Sequence, residues 1–132
     1  MSDGIRSVAE AKARELLRRS GLPEPMWNPR LVDAHGGRFI AVADAWFDEV
    51  ALAWEIDSYE FHLSPADYER TLQRRVAMTA LGIAVVAHSP KRVIDQPNRV
   101  LEDLTSNLRQ AATRSRPQIV AIPPGAGGAP AR

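Results

Sequence analysis

The stretch VALAWEID, residues 50–57, places strict limits on the fold, because its side chains make sense only if they alternate between two faces of a strand. Val50, Leu52, Trp54 and Ile56 fall on one face; Ala51, Ala53, Glu55 and Asp57 fall on the other. Upstream, Ala41–Phe47 is also strand-forming, and the polar pair Asp48-Glu49 between the two runs predicts an antiparallel hairpin. Two strand rises put Glu55 and Asp57 roughly 6–7 Å apart on one face. Folding at residues 48–49 brings Asp44 across from residues 53–55, adding a third acid to the patch. Two like charges about 4 Å apart repel by roughly 4 kcal/mol at an effective dielectric of 20. A hard divalent cation such as magnesium relieves that repulsion with oxygen ligands from one or two carboxylates, water and phosphate. The bland alternative is that the three acids are solvated strand ends, splayed apart.

The chain is 132 residues long, 45% hydrophobic and 25% charged, which fits one domain with a real core. Cysteine is absent, so disulfides and thiolate metal sites are excluded. No apolar run has the length of a membrane span, and the N-terminus lacks the apolar centre of a secretory signal; the expected location is cytoplasmic, with no membrane partner. A formal net charge of +1 requires any nucleic-acid contact to come from a local basic patch.

Ser7-Val8-Ala9-Glu10 is a capping box that predicts a helix from Ser7 to about Ser20, stopped by Gly21 and Pro23. Ala9, Ala13, Leu16 and Leu17 form its apolar stripe and leave Lys12, Arg14, Arg18 and Arg19 for water or phosphate; Glu10 has a sufficient role as a cap. Trp27, in the proline-punctuated connection 21–30, is expected either to cover one edge of the core or to take part in binding. Arg30–Ala34, the turn His35-Gly36-Gly37 and Arg38–Phe47 extend the hairpin into a three-stranded antiparallel meander over Leu31–Asp57. Ser64-Pro65-Ala66-Asp67 opens a second helix ending at Gly82, with Leu72, Val76 and Thr79 or Ala80 as its core-facing stripe and Arg70, Arg74 and Arg75 opposite. Ile83–His88 reads as a strand buried on both faces in the middle of the sheet. A third helix over Pro97–Thr113 carries Val100 or Leu101, Leu104, Leu108 and Ala111. Residues 114–132 are rich in proline, glycine and alanine and are expected to form a disordered tail, at least over the last ten, leaving residues 1–113 as the domain.

The expected α-β-β-β-α-β order, with an added C-terminal helix, resembles the restriction-endonuclease-like core of the PD-(D/E)XK nuclease superfamily: a mixed-sheet α/β fold. Asp44, ten intervening residues, Glu55, one residue and Asp57 match its acid spacing. More narrowly, the chain is similar to the very-short-patch-repair-like endonuclease domains of bacteria, related to the C-terminal part of AbiEi-type antitoxins. Their pattern is an acid on the first helix, an Asp on one strand, Glu-x-Asp then His on the next, and an Arg-rich helix ending in Gly. It is met here by Glu10, Asp44, Glu55-Ile56-Asp57, His62, and Arg70 through Arg74 to Gly82.

Such proteins often carry an N-terminal winged helix, and this chain is expected to begin at the nuclease-like module without one. Ala43 replaces the usual proline, Asp57 stands where the superfamily lysine orients water, and Thr71 replaces a frequent Asp. The resemblance implies hydrolysis of a DNA phosphodiester with magnesium, or manganese, held by Asp44 and Glu55 and completed by Glu10 through water. It assigns Asp57 to the catalytic set, gives His62 an orienting or proton-transfer role, and makes Arg14, Arg18, Arg70 and Arg74 phosphate contacts. The alternative it implies is an inactive nuclease-fold module that binds nucleic acid, a protein partner such as a toxin, or a second copy.

Overall fold

The computed structural model of the chain describes residues 2–57 and 64–125, with side chains described from Val8 onward. The fold is mixed α/β. Helix α1 spans Ser2–Arg18, and strands β1 (Met26–Trp27), β2 (Arg30–Asp33), β3 (Phe39–Val42), β4 (Ala45–Phe47) and β5 (Leu52–Ile56) follow. Next come α2 (Pro65–Ala80), β6 (Ala84–His88), α3 (Pro90–Asp95), α4 (Pro97–Ala111) and β7 (Ile119–Ile122). One sheet has the order β1-β4-β5-β6 and a second the order β3-β2-β7.

The expected three-stranded meander is split between these two sheets. The run 38–47 bends at Ala43-Asp44, so that β3 pairs with β2 in one sheet and β4 with β1 and β5 in the other. Asn28-Pro29 bends the facing strand at the same level. Asn28 has φ 58°, a left-handed conformation that asparagine tolerates better than most residues, and Pro29 cannot donate to a ladder. The two bends are tied by Asn28 N to Asp44 O at 2.9 Å and Ala43 N to Pro29 O at 3.3 Å. Asp44 therefore sits where the strand leaves one sheet for the other.

The alternation across β5 holds. Leu52, Trp54 and Ile56 pack with Ala9, Ala13, Leu16, Leu17, Val100 and Leu104, while Ala51 and Ala53 join Trp46, Leu31 and Met78 in a second core. β6 runs parallel to β5 after the α2 crossover, but it is the terminal strand of its sheet, with Ala84 and Val85 only half-buried, rather than a central one. Its apolar sequence reflects a strand covered by helices, not one flanked by strands.

Other expectations need correction. α1 begins at Ser2, with Ser7 inside it; only Gly4 stands against helix in that segment, and a helix tolerates a glycine at about 1 kcal/mol. Its end is nearer the expectation, with Gly21 at φ 82°. A short α3 precedes α4, started by Ser89, which accepts from Arg92 N just as Ser64 accepts from Asp67 N in α2. Residues 114–122 are not a free tail. β7 pairs with β2, Arg114 donates to the carbonyls of Val50 and Ala51, and Arg116 to that of Asp48, closing the β4–β5 turn where Ala51 has φ 52°. Residues 126–132, the rest of the expected tail, lie outside the described residues.

The largest correction concerns α2. Met78 is its only fully buried side chain, whereas Val76 is 66% exposed and Thr79 and Ala80 lie at the surface. The helix is rotated so that Arg74 and Arg75, not the expected apolar stripe, face the sheet.

Candidate functional site

The bend at Ala43-Asp44 releases the Asp44 amide from the strand ladder, and a side chain takes its place. Asp44 N donates to Glu55 Oε2 at 3.1 Å, and Ile56 N donates to Asp44 Oδ2 at 2.7 Å. Each acid of the adjacent strands is thus held by the backbone of the other. Both are buried, Glu55 at 1% exposure and Asp44 at 8%. The predicted convergence of these two carboxylates is present, and the splayed, solvated alternative does not describe them.

Two buried carboxylates this close conflict electrostatically. The Glu55 carboxyl is pushed up from 4.5 to about 7, first by burial and then by the charge of Asp44. Arg74, the Asp44 amide and Arg75 act in the opposite direction. Arg74 donates from Nη2 to Glu55 Oε1, and Arg75 from Nη2 to Asp57 Oδ2 at 2.6 Å. The Nε atoms of both arginines are buried with no hydrogen-bond partner. These cations provide the neutralisation that the acid cluster demands.

Glu10 stands one side chain away. It accepts from Arg14 at 2.9 Å and from Asn28 Nδ2 at 3.2 Å, and Asn28 in turn binds the Asp44 carbonyl through its own amide. Its role is therefore not to cap α1 but to connect α1 with the bend. Arg14 lies 4.6 Å from the centre of the Trp27 ring, and Trp27 packs 6.3 Å from Trp54, so Trp27 does cover a core edge. Among the described residues, no group of three or more histidine, aspartate or glutamate side chains is placed to hold a metal ion. Asp44 and Glu55 alone offer an oxygen-only pair, a donor set that suits magnesium or manganese when water and phosphate supply the remainder. Glu10 would enter only through water.

The predicted phosphate contacts separate. Arg14 and Arg74 are engaged with acids, Arg70 pairs with Asp67 at the surface, and Arg18 is exposed on α1. His62 lies outside the described residues. The sequence reading overlooked His88. Trp54 Nε1 donates to its Nδ1 at 3.0 Å, which leaves the proton on Nε2, facing Asp103 Oδ2 at 2.8 Å. His88 pairs with Ile56 in register and so occupies the face opposite Glu55, with both nitrogens in use. A histidine ending an apolar strand was visible in sequence; its partner on α4 was not.

No family model matches the chain, and no solved structure matches it. Two uncharacterized proteins, from two strains of Mycobacterium tuberculosis, are each 32% identical to it over 106 residues, 80% of this chain. The chain spans 38% of the length of these relatives.

Proposed function

We propose that the chain is a magnesium-dependent nuclease-like domain of the PD-(D/E)XK kind, hydrolysing phosphodiester bonds in DNA at Asp44 and Glu55. The observation that carries this reading is the interlocked pair itself: two buried carboxylates from adjacent strands, fixed by each other's backbone, one of them raised to about 7. Perturbed, preorganised acids of this sort are a recurring mark of functional sites. The restriction-endonuclease-like assignment is supported by the run β4-β5-α2-β6, antiparallel then parallel, with α1 ahead of it.

Asp44 and Glu55 would hold the cation, with Glu10 and Asn28 positioning a water beside them. The cation would supply a Lewis acid for the phosphate and a lowered pKa for an attacking water. Arg74 would exchange its contact with Glu55 for a phosphate oxygen, and Arg75, which donates to Asp57, would hold that carboxylate in orientation. His62 is the group we assign to proton transfer near the leaving oxygen.

A second reading, favoured by the arginines that already neutralise Glu55 and Asp57, is a module that binds nucleic acid or a protein partner without hydrolysing anything. Supercoiled and mismatched DNA incubated with magnesium, manganese or chelator separates the two. The hydrolase reading expects metal-dependent nicking that disappears in Asp44→Asn and in Glu55→Gln. DNA retention by a wild-type protein that never nicks would favour the second reading and overturn the first.

A further inference from the structure

A groove of about 570 Å³ runs between β3 and α2, and one of its lining side chains, Arg74, reaches Glu55 of the acid pair. Phe39 and Ile40 line one side; Arg70, Gln73 and Arg74 line the other. Two features set it apart from an ordinary surface crease. Phe39 is 55% exposed, an unusual position for a large aromatic ring, and the Arg30 guanidinium stands 5.9 Å from its ring centre. Along α2, Arg70 and Arg74 lie one turn apart, about 6 Å along the axis, and Arg74 also binds Glu55. The acid in the groove, Asp67, is already paired with Arg70 at the surface, where a phosphate competes on favourable terms.

We infer that this groove binds an unpaired nucleic-acid strand, with one base stacked on Phe39 and the adjoining phosphates on Arg70 and Arg74, so that the backbone arrives at Glu55. The inference rests on the nucleic-acid reading of the Asp44–Glu55 site and narrows its substrate to single-stranded or locally opened segments. An aromatic platform beside a row of cations is the arrangement by which proteins hold single strands, since every base offers a π face and every nucleotide a charge. A base inside a duplex cannot reach such a platform without leaving its stack. A duplex would therefore use the arginines and leave Phe39 idle.

Fluorescence anisotropy in chelator, where no hydrolysis occurs, reads the groove independently of catalysis. The probes are oligo-dT and oligo-rU of about 15 nucleotides and a blunt duplex of equal length. Wild type is expected to prefer a single strand to the duplex, and the two single-stranded probes show whether DNA or RNA is the source. Phe39→Ala is expected to weaken that binding about 5- to 160-fold, the range for loss of one base–aromatic stack, while Phe39→Trp retains it. Arg70→Gln should make the dependence of log K on log salt shallower by about 0.7. Melting temperatures recorded alongside establish that each variant is folded; if Phe39→Ala is not, Phe39→Trp decides, and loss of binding in it overturns the inference. Equal affinity in wild type and folded Phe39→Ala, preference for the duplex, or a Phe39→Ala effect confined to dissociating a dimer would each overturn it as well. Plasmid nicking without single-strand preference would defeat this inference and leave the nuclease reading intact; single-strand binding without nicking would do the reverse.

Discussion

α2 and α4 are helices of nearly equal length, each read from an apolar stripe, and they settle in opposite ways. α4 buries Val100, Leu104 and Ala111 and packs Leu101 and Leu108 at the margin, as three-and-four spacing requires. α2 exposes Val76 and turns Arg74 and Arg75 inward. The difference lies in what each helix covers. The side chains of α4 share a core with Leu52, Trp54 and Ile56; beneath α2 are Glu55 and Asp57. Leaving a valine in water forfeits about 1.5 kcal/mol, whereas an unpaired buried carboxylate costs several. Neutralising the carboxylates therefore sets the rotation of α2, and an apolar stripe reports the core only where no buried charge competes for the same face.

The comparison is tested most severely by truncating one large residue on each helix. Leu104→Ala is expected to destabilise the fold by about 2–5 kcal/mol, through lost burial and a residual cavity. Leu72→Ala, on the half-buried flank of α2, should cost less than about 1.5 kcal/mol. Urea unfolding measures both, and equal losses would show that α2 packs by its apolar stripe after all.

A second test uses pH to read what the buried charge beneath α2 costs the fold. The Glu55 carboxyl lies at about 7 in the folded chain against an ordinary 4.5. Below about pH 4.5 it is protonated in both states, and its favourable contribution is complete. As pH rises towards 7 the unfolded chain releases this proton first, so stability is lost across that interval. The separation of the two values corresponds to about 3 kcal/mol. Thermal unfolding from pH 4.5 to 8 should therefore show a decline that Glu55→Gln flattens. Arg74→Gln removes the cation opposing the shift and should extend the decline to higher pH. A wild-type profile that coincides with that of Glu55→Gln would show that ionising Glu55 beneath α2 carries no cost, and that there is no buried charge there for Arg74 to offset.

Local pattern made several elements legible. Residues 50–57 placed both faces of β5 correctly, Gly21 and Gly82 marked helix ends through their left-handed backbone, and Ser64-Pro65 marked the start of α2. Asp44 and Glu55 could be paired because the turn sets the hairpin register, seen as Ala45 opposite Trp54. The division into two sheets was not legible. It depends on Asn28-Pro29 and Ala43-Asp44 bending together, and each dipeptide alone reads as strand or connection. β7 was concealed because IVAI lies among prolines and glycines and finds its partner, β2, nearly ninety residues earlier. The same nonlocality concealed the arginines: Arg74 is 19 residues from Glu55, and nothing in the spacing of α2 announces the acid beneath it.

Val76 supplies the finest discrimination between the two helices. At 66% exposure its replacement by glutamine removes little buried area, and glutamine is the better helix former because it lacks the β-branch that restricts valine. The expected change in stability lies between zero and a gain of a few tenths of a kcal/mol. Val100→Gln, at the corresponding core position of α4, buries an amide without provision for its hydrogen bonds and should cost about 1–3 kcal/mol. The sign of the difference is decisive: a substitution that is severe on a buried apolar stripe is harmless where arginines have already claimed the inner face of the helix. A loss above about 1 kcal/mol for Val76→Gln would instead place that side chain against a covering surface, and would require α2 to be rotated away from Glu55.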